Sequence, residues 1–505
     1  MKFNIFKKKE NTVANYEGAK AYTITPEMEL YTTVVTAGLS DTFYEKSDTR
    51  LARIRDLMLK TQPEFVAKLA VYARNEMYMR SVPLVLAVEL ARTNSGNAVV
   101  SKAIHGIVKR ADEITELLAY YQLANKRTGT KKLNRLSKQI QKGLSLAFNR
   151  FDEYQFAKYN RDAEVKLRDA LFLVHPKAKD EAQQTLFNKI ATGELAVPYT
   201  WETELSELGQ TKFESVKAKD AARKAIWEKL IDSGKLGYMA SLRNLRNMLE
   251  ANVSAAHVKK VCVYLSDEKA VANSKQLPFR FLAAYREIKD LNSEFVSMIL
   301  NALEDAVMVS AKNIKGFDES SNVLIACDVS ASMQKVISPK SKVMLFDIGL
   351  MLGMLMQSRC KRVVSGMFGD TWKVINMPNR SVLSNVDEYY RREGEVGYAT
   401  NGHKVIDDLL ARRVVMDKVM MFTDCQLWDS SAGGSGLDRS WRAYKLLAPH
   451  ASLYLFDLAG YGKTPVRTEK NDVFLIAGWS DKVFDVLDSI RDTETVVEKI
   501  RQIEL

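Results

Sequence analysis

NVLIACDVSAS, residues 322–332, opens on an apolar run and turns abruptly polar at Asp328. A short apolar run rich in β-branched residues and closed by a carboxylate reads as a buried strand. A helical stretch, Lys342–Ser358, follows it, and then a second such run, RVVSGMF (362–368). The pattern continues with a helix near Lys404–Arg412, the strand VVMDKVMMFTD (414–424) and a helix around Trp441–Leu447. Strands ASLYLFDL (451–458) and NDVFLIAG (471–478) and a last helix, Asp481–Ile490, complete it. Strands alternating with helices give a parallel sheet covered on both faces, so residues 321–505 are expected to form an open α/β domain.

Upstream the periodicity is different. Apolar residues recur at three- and four-residue spacing in Leu51–Leu59, Phe65–Tyr78, Ile104–Leu123, Ala222–Leu230, Leu242–Leu249 and Phe295–Val309, the spacing of amphipathic helices. Pro63, Pro83, Gly96, Gly129, Pro176, Gly193, Pro198, Gly234, Gly237 and Pro278 punctuate the series. Sequential helices of this length stack pairwise into a HEAT-like α-solenoid or a generic helical domain. The expected division is a basic tail at 1–24, a helical region at 25–320 and the α/β domain at 321–505.

Of the 505 residues, 46% are hydrophobic and 27% charged, with 10 Pro and 24 Gly, which excludes collagen-like and disordered classes. No run reaches the roughly 20 uncharged apolar residues that cross a bilayer, and MKFNIFKKKENT lacks the apolar core of a secretory signal. Cysteines at 262, 327, 360 and 425 have neither disulfide-framework nor zinc-cage spacing. A reduced, cytoplasmic protein is expected, with a monomer as the default. The formal charge is +12, and it is uneven: residues 321–505 hold 24 Lys+Arg against 23 Asp+Glu, which leaves 50 against 39 before them. Eight basic residues and no acid lie between Lys126 and Arg150. Such self-repulsion calls for an anionic partner, most commonly nucleic acid.

In open α/β sheets, ligands gather at the C-terminal ends of strands. Alternate residues of an extended segment point the same way, so Asp328, Ser330 and Ser332 can converge. Thr400, in the loop GYATNG, and Asp424, closing a later strand, add two oxygens. The set suits a hard divalent cation such as Mg²⁺; the plainer reading makes Ser330, Ser332 and Asp424 helix caps. The order Asp-x-Ser-x-Ser, Thr, Asp resembles the metal-ion-dependent adhesion site of von Willebrand factor A domains. That resemblance implies direct ligation by Ser330, Ser332 and Thr400, with Asp328 and Asp424 acting largely through water. A site with few carboxylates leaves a coordination position for an acidic residue of a protein partner. No nucleophile stands beside a base, so binding rather than catalysis is expected, with no catalytic residue.

Four segments, VKLRDALFLVHPK (165–177), LGYMASLRNLRNML (236–249), QLPFRFLAAYREI (276–288) and LIACDVSASM (324–333), resemble the Ro autoantigen (TROVE-module) family over roughly residues 20–500. The resemblance implies a ring of HEAT-like helices closed by the A domain. It also implies binding of a Y RNA-like structured RNA on the outer surface and of misfolded non-coding RNA ends in the ring, for RNA quality control with an exoribonuclease. On that reading Lys131, Lys132, Arg135, Lys138 and Lys142, extended by Lys158, Tyr159, Arg161 and Lys166, form the outer RNA-binding surface. Arg243, Arg246 and Arg280 lie on inner helices and line the hole, or else form surface ion pairs. Vertebrate members carry Trp and His just before the segment matching Arg168–Pro176, whereas this chain has Ala163–Leu167, so outer contacts differ. The alternative function is a metal-dependent protein-interaction module without specific RNA binding.

Overall fold

A computed structural model describes residues 12–38, 45–94, 97–126, 136–314, 317, 320–338, 341–379, 381–428, 436–468, 471–485, 487 and 496–505. Lys131, Lys132 and Arg135, the 4–10 segment and Gly433–Ser435 lie outside the described residues.

The chain divides into two compact units, one of residues 1–57 with 313–496 and one of 58–312 with 497–505. The first unit is built on the strands β1 (Thr12–Ala14), β2 (Lys20–Thr23), β3 (Asn322–Asp328), β4 (Arg362–Phe368), β5 (Trp372–Val374), β6 (Lys418–Thr423), β7 (Ser452–Asp457), β8 (Lys463–Thr464) and β9 (Val473–Ala477). Six of them form one sheet in the order β5-β4-β3-β6-β7-β9, parallel except for β4 with β5. The chain goes from β3 outward to β4 and then returns to the other side of β3 as β6. That reversal opens a crevice beyond the carboxyl ends of β3 and β6. Register lines those ends up, Cys327 beside Phe422 and Thr423 beside Asp457. The helix Leu345–Arg359 is buried along nearly its whole length, which explains its uniform apolarity. Phe422 and Phe456 stack at 4.4 Å in the core.

Both strands expected at 322–328 and 362–368 hold their bounds. The helix Leu383–Arg392 and the short β5 were not expected. Residues 12–24 depart from the expected tail. β1 and β2 form an antiparallel hairpin that pairs onward to β8, burying Ala19, Ala21 and Tyr22. Helix Pro26–Val35 follows, with Tyr31 Oη donating to Ala477 O at 2.8 Å. These contacts remove apolar surface from water, so the N-terminal residues belong with the sheet although helices follow them.

The second unit is helical. Helix Pro63–Asn75 packs on Ser81–Thr93 and Val99–Ile107, the latter on Lys138–Phe148, and Ala255–Ser266 on Val296–Ser310. The periodicity of Ile104–Leu123 belongs to two helices, Val99–Ile107 and Asp112–Ala124. Leu242–Leu249 likewise spans two short helices that meet at Asn244. At the chain's end, Lys68 Nζ donates to Arg501 O at 2.6 Å, within this unit.

Candidate metal centre and nucleic-acid cleft

β3 delivers Asp328 to the crevice, and the chain turns there into a short helix, Ala331–Gln334. Asp328 is spent internally: Oδ1 accepts from Ser330 N at 2.9 Å and Oδ2 from Thr423 Oγ1 at 2.6 Å. Ser330 Oγ and Ser332 Oγ stand 3.3 Å apart. Asp424 follows β6; its Oδ1 accepts from Gln426 N at 2.9 Å, while its buried Oδ2 has no partner in full hydrogen-bond geometry, the Ser332 hydroxyl being near enough to the carboxyl to hold its pKa down in part. Thr400 is tied to the same place, because Trp428 N donates to its Oγ1 at 3.1 Å and Ala331 N donates to Tyr398 O at 3.1 Å. The five residues are all buried. Burial lifts both carboxyls above the ordinary range, and the Asp328 charge lifts Asp424 further. An orphaned carboxylate oxygen beside two hydroxyls fits a hard cation, which would both occupy that oxygen and offset the repulsion. Ser330, at the start of the following short helix, makes no side-chain capping bond to it.

In the helical unit, a cleft of about 1450 Å³ gathers residues from Arg80 to Arg280. Its charged lining comprises Arg80, Arg110, Lys158, Arg161, Lys235, Arg243, Lys269 and Arg280 against Asp112, Glu116, Glu202 and Asp267, a positive excess. Aromatic rings are interleaved with the cations. The Arg110 guanidinium lies 4.3 Å from the Tyr159 ring centre, and Lys235 Nζ lies 5.6 Å from that of Tyr199. Trp201 stacks on the buried Trp227, centroids 6.3 Å apart. The Tyr199 hydroxyl is buried without a hydrogen-bond partner. Burial, and then the neighbouring Arg243 charge, pull the Arg280 pKa below its ordinary value.

The cleft regroups the expected RNA residues. Lys158, Tyr159 and Arg161, assigned to an outer surface, share it with Arg243 and Arg280, assigned to an inner one. Lys138 and Lys142 are exposed one turn apart on the helix that begins at Lys138 and do not line the cleft. Two expected RNA contacts are instead engaged by carboxylates. Arg246 pairs with Glu250 at 2.8 Å and Glu287 at 3.4 Å, and Lys166 pairs with Asp162 at 2.8 Å. Arg80, Arg110, Tyr199, Trp201 and Lys235 were not anticipated. The Pro-Tyr-Thr-Trp run at 198–201, aromatic residues beside a breaker, was the available signal.

Fold and sites together define a class: a protein with a stacked-helix unit that carries a basic aromatic cleft and an open α/β unit with an oxygen cluster at the carboxyl ends of its strands. The TROVE domain family model matches residues 13–197 and 193–315. The chain therefore belongs to the TROVE-domain family, a family of RNA-binding proteins. It is similar to Telomerase protein component 1 of Rattus norvegicus, 25% identical over 334 residues, covering 50% of this chain and 12% of that protein. The counterpart from Mus musculus is 43% identical over 100 residues, covering 20% of this chain and 3% of that protein. The chain thus spans about an eighth or less of these curated relatives. The crystal structure of the Deinococcus radiodurans RO (RSR) protein shares the fold, with TM-score 0.58 and 16% identity, covering 91% of this chain and 98% of that one. Among the described residues no helix is long and apolar enough to cross a membrane.

Proposed function

We propose that the cleft takes a single-stranded segment of non-coding RNA, such as the end of a misfolded transcript. The observation that carries this is the alternation of cations with aromatic rings along its lining. Lys and Arg side chains neutralise phosphates, and an unpaired base stacks on a ring already backed by a guanidinium. The exposed Lys138 and Lys142 supply a second basic face for structured, Y RNA-like RNA. The protein then serves as a scaffold in RNA quality control or processing, presenting RNA to an exoribonuclease. Fluorescence anisotropy with a short oligouridylate tests the cleft. Tyr159→Ala is expected to weaken binding by about 1–3 kcal/mol, the worth of one stacked base, and Arg243→Glu/Arg280→Glu by more. Unchanged affinity in both variants overturns the reading.

A second reading concerns the sheet unit and rests on the open Asp424 Oδ2. Ser330, Ser332 and Thr400 would hold Mg²⁺ directly, and Asp328 and Asp424 would hold it through water. When bound, the ion supplies a Lewis-acidic position for a carboxylate of a protein ligand. Asp328 suits the indirect role because both its oxygens are already engaged by Ser330 and Thr423.

A further inference from the structure

Among the described residues, four carboxylates line the cleft, and three of them have a structural task. Asp112 holds two arginines: its Oδ2 accepts from Arg80 Nη2 at 3.0 Å and from Arg110 Nη2 at 2.8 Å, and its Oδ1 from Arg110 Nε at 3.0 Å. Asp267 caps helix Glu268–Ser274, accepting from Ala270 N at 2.7 Å. Glu202 lies in the first turn of helix Trp201–Gln210, where the helix dipole favours a negative charge. Glu116 has no such task. It lies past the first turn of helix Asp112–Ala124, its side chain is exposed, and it forms neither a hydrogen bond nor an ion pair among the described residues.

A carboxylate among cations weakens their hold on phosphate, so Glu116 works against a cleft that grips the RNA backbone alone. What it can do is accept, because an ionised carboxylate offers two acceptor oxygens and no donor. Its position fits that use. Glu116 follows Asp112 by four residues, so the two share a helix face about 6 Å apart. Asp112 fixes Arg110, and Arg110 backs the Tyr159 ring at 4.3 Å. All four residues line the cleft. A base stacked on Tyr159 thus lies beside a fixed guanidinium, with an uncommitted carboxylate one helical turn further on. Unstacked bases are read on their Watson–Crick edges. Of the RNA bases, only guanine carries two adjacent donors there, N1–H and the 2-amino group, matching the two oxygens of a carboxylate. Adenine, cytosine and uracil each place a lone pair where one of those donors would be.

We infer that Glu116 gives the cleft a preference for guanine, accepting from N1–H and the 2-amino group of a base stacked on Tyr159. The inference rests on the reading of the cleft as an RNA site, and it adds the sequence preference that phosphate contacts do not carry.

The test uses the full chain and single-stranded RNAs of about six nucleotides, all uridine except for one central guanosine, inosine or adenosine, read by anisotropy. The wild type is expected to bind the guanosine strand about tenfold more tightly than the adenosine strand, which is the scale of a two-bond base contact. Adenosine controls for the stronger stacking of a purine. Inosine, which keeps N1–H and lacks the 2-amino group, should fall between the two. Glu116→Gln should bring the guanosine strand to the level of the adenosine strand, because the carboxamide turns an NH2 group toward the base's own donors. Wild-type protein that binds the guanosine and adenosine strands alike overturns the preference and leaves the cleft as an RNA site. Equal strengthening of all three strands by Glu116→Gln, with the preference retained, also overturns it and makes Glu116 a counter-charge to the cleft's arginines. Failure of the wild type to bind any of the three counts against the cleft itself, and this inference falls with it.

Discussion

Asp424 shows how one side chain can carry a functional reading. Its Oδ1 is satisfied by Gln426 N, its Oδ2 has no partner in full hydrogen-bond geometry although the Ser332 hydroxyl is near, and Asp328 stands close enough to raise its pKa after burial has done so. Without a cation, that arrangement costs stability, because an unsatisfied buried polar atom costs about 1–3 kcal/mol and a charged one more. Asp424→Asn is therefore expected to raise the melting temperature of chelator-treated protein while weakening Mg²⁺ binding by about tenfold or more, since outer-sphere partners of a metal are worth that much. Thermal melts with and without chelator, together with calorimetric titration, check both halves. A variant that destabilises the metal-free protein and leaves Mg²⁺ affinity intact would make Asp424 a structural residue. Asp328, Ser330, Ser332 and Asp424 were legible because strand alternation and strand ends are written in short-range sequence. The open oxygen was not, since it depends on which backbone amides the folded loop turns toward the carboxylate.

At the scale of elements, the β1–β2 hairpin holds the loop that carries Asp424. Asn15 Nδ2 donates to Leu427 O at 2.9 Å, and Tyr16 N donates to Gln426 Oε1 at 2.9 Å. Asn15 Oδ1 also closes the hairpin by accepting from Ala19 N at 2.8 Å. Gln426 thus uses its backbone for Asp424 and its side chain for the hairpin. Asn15→Ala removes two of these bonds and is expected to cost about 1–3 kcal/mol and to lower Mg²⁺ affinity, read by the same titration. An effect on stability alone would limit the hairpin to a structural role. Strands of three and four residues give too short a window for alternation to register, so this segment reads from sequence as a tail. The opposite error affects Ile104–Leu123, where apolar spacing runs through a real break. No glycine or proline marks Val108–Ala111, and Glu113 takes the freed amides of Lys109 and Arg110 instead. A buried carboxylate can replace a breaker residue, and pattern reading has no means of seeing it.

Across the whole molecule, charge and chemistry are divided between the units. The near-neutral α/β portion holds the oxygen cluster, and the basic helical portion holds the cleft. That segregation was legible from residue counts. The cleft was not: it joins Arg80, Tyr159, Trp201, Arg243 and Arg280, positions whose proximity comes from helix stacking rather than from any local spacing. Because every residue lining the cleft belongs to the helical unit, and every residue of the oxygen cluster to the other, the two proposed activities are expected to be separable. Stripping divalent cations with a chelator, at constant ionic strength, is expected to change short-oligouridylate affinity by less than about twofold, because the cleft's attraction comes from fixed Lys and Arg charges. Raising monovalent salt should weaken the same binding steeply, with a slope set by the phosphates neutralised. Anisotropy titrations under the two conditions distinguish them. Loss of RNA binding on chelation alone would mean that the oxygen cluster controls the cleft, and the division of labour between the units would have to be abandoned.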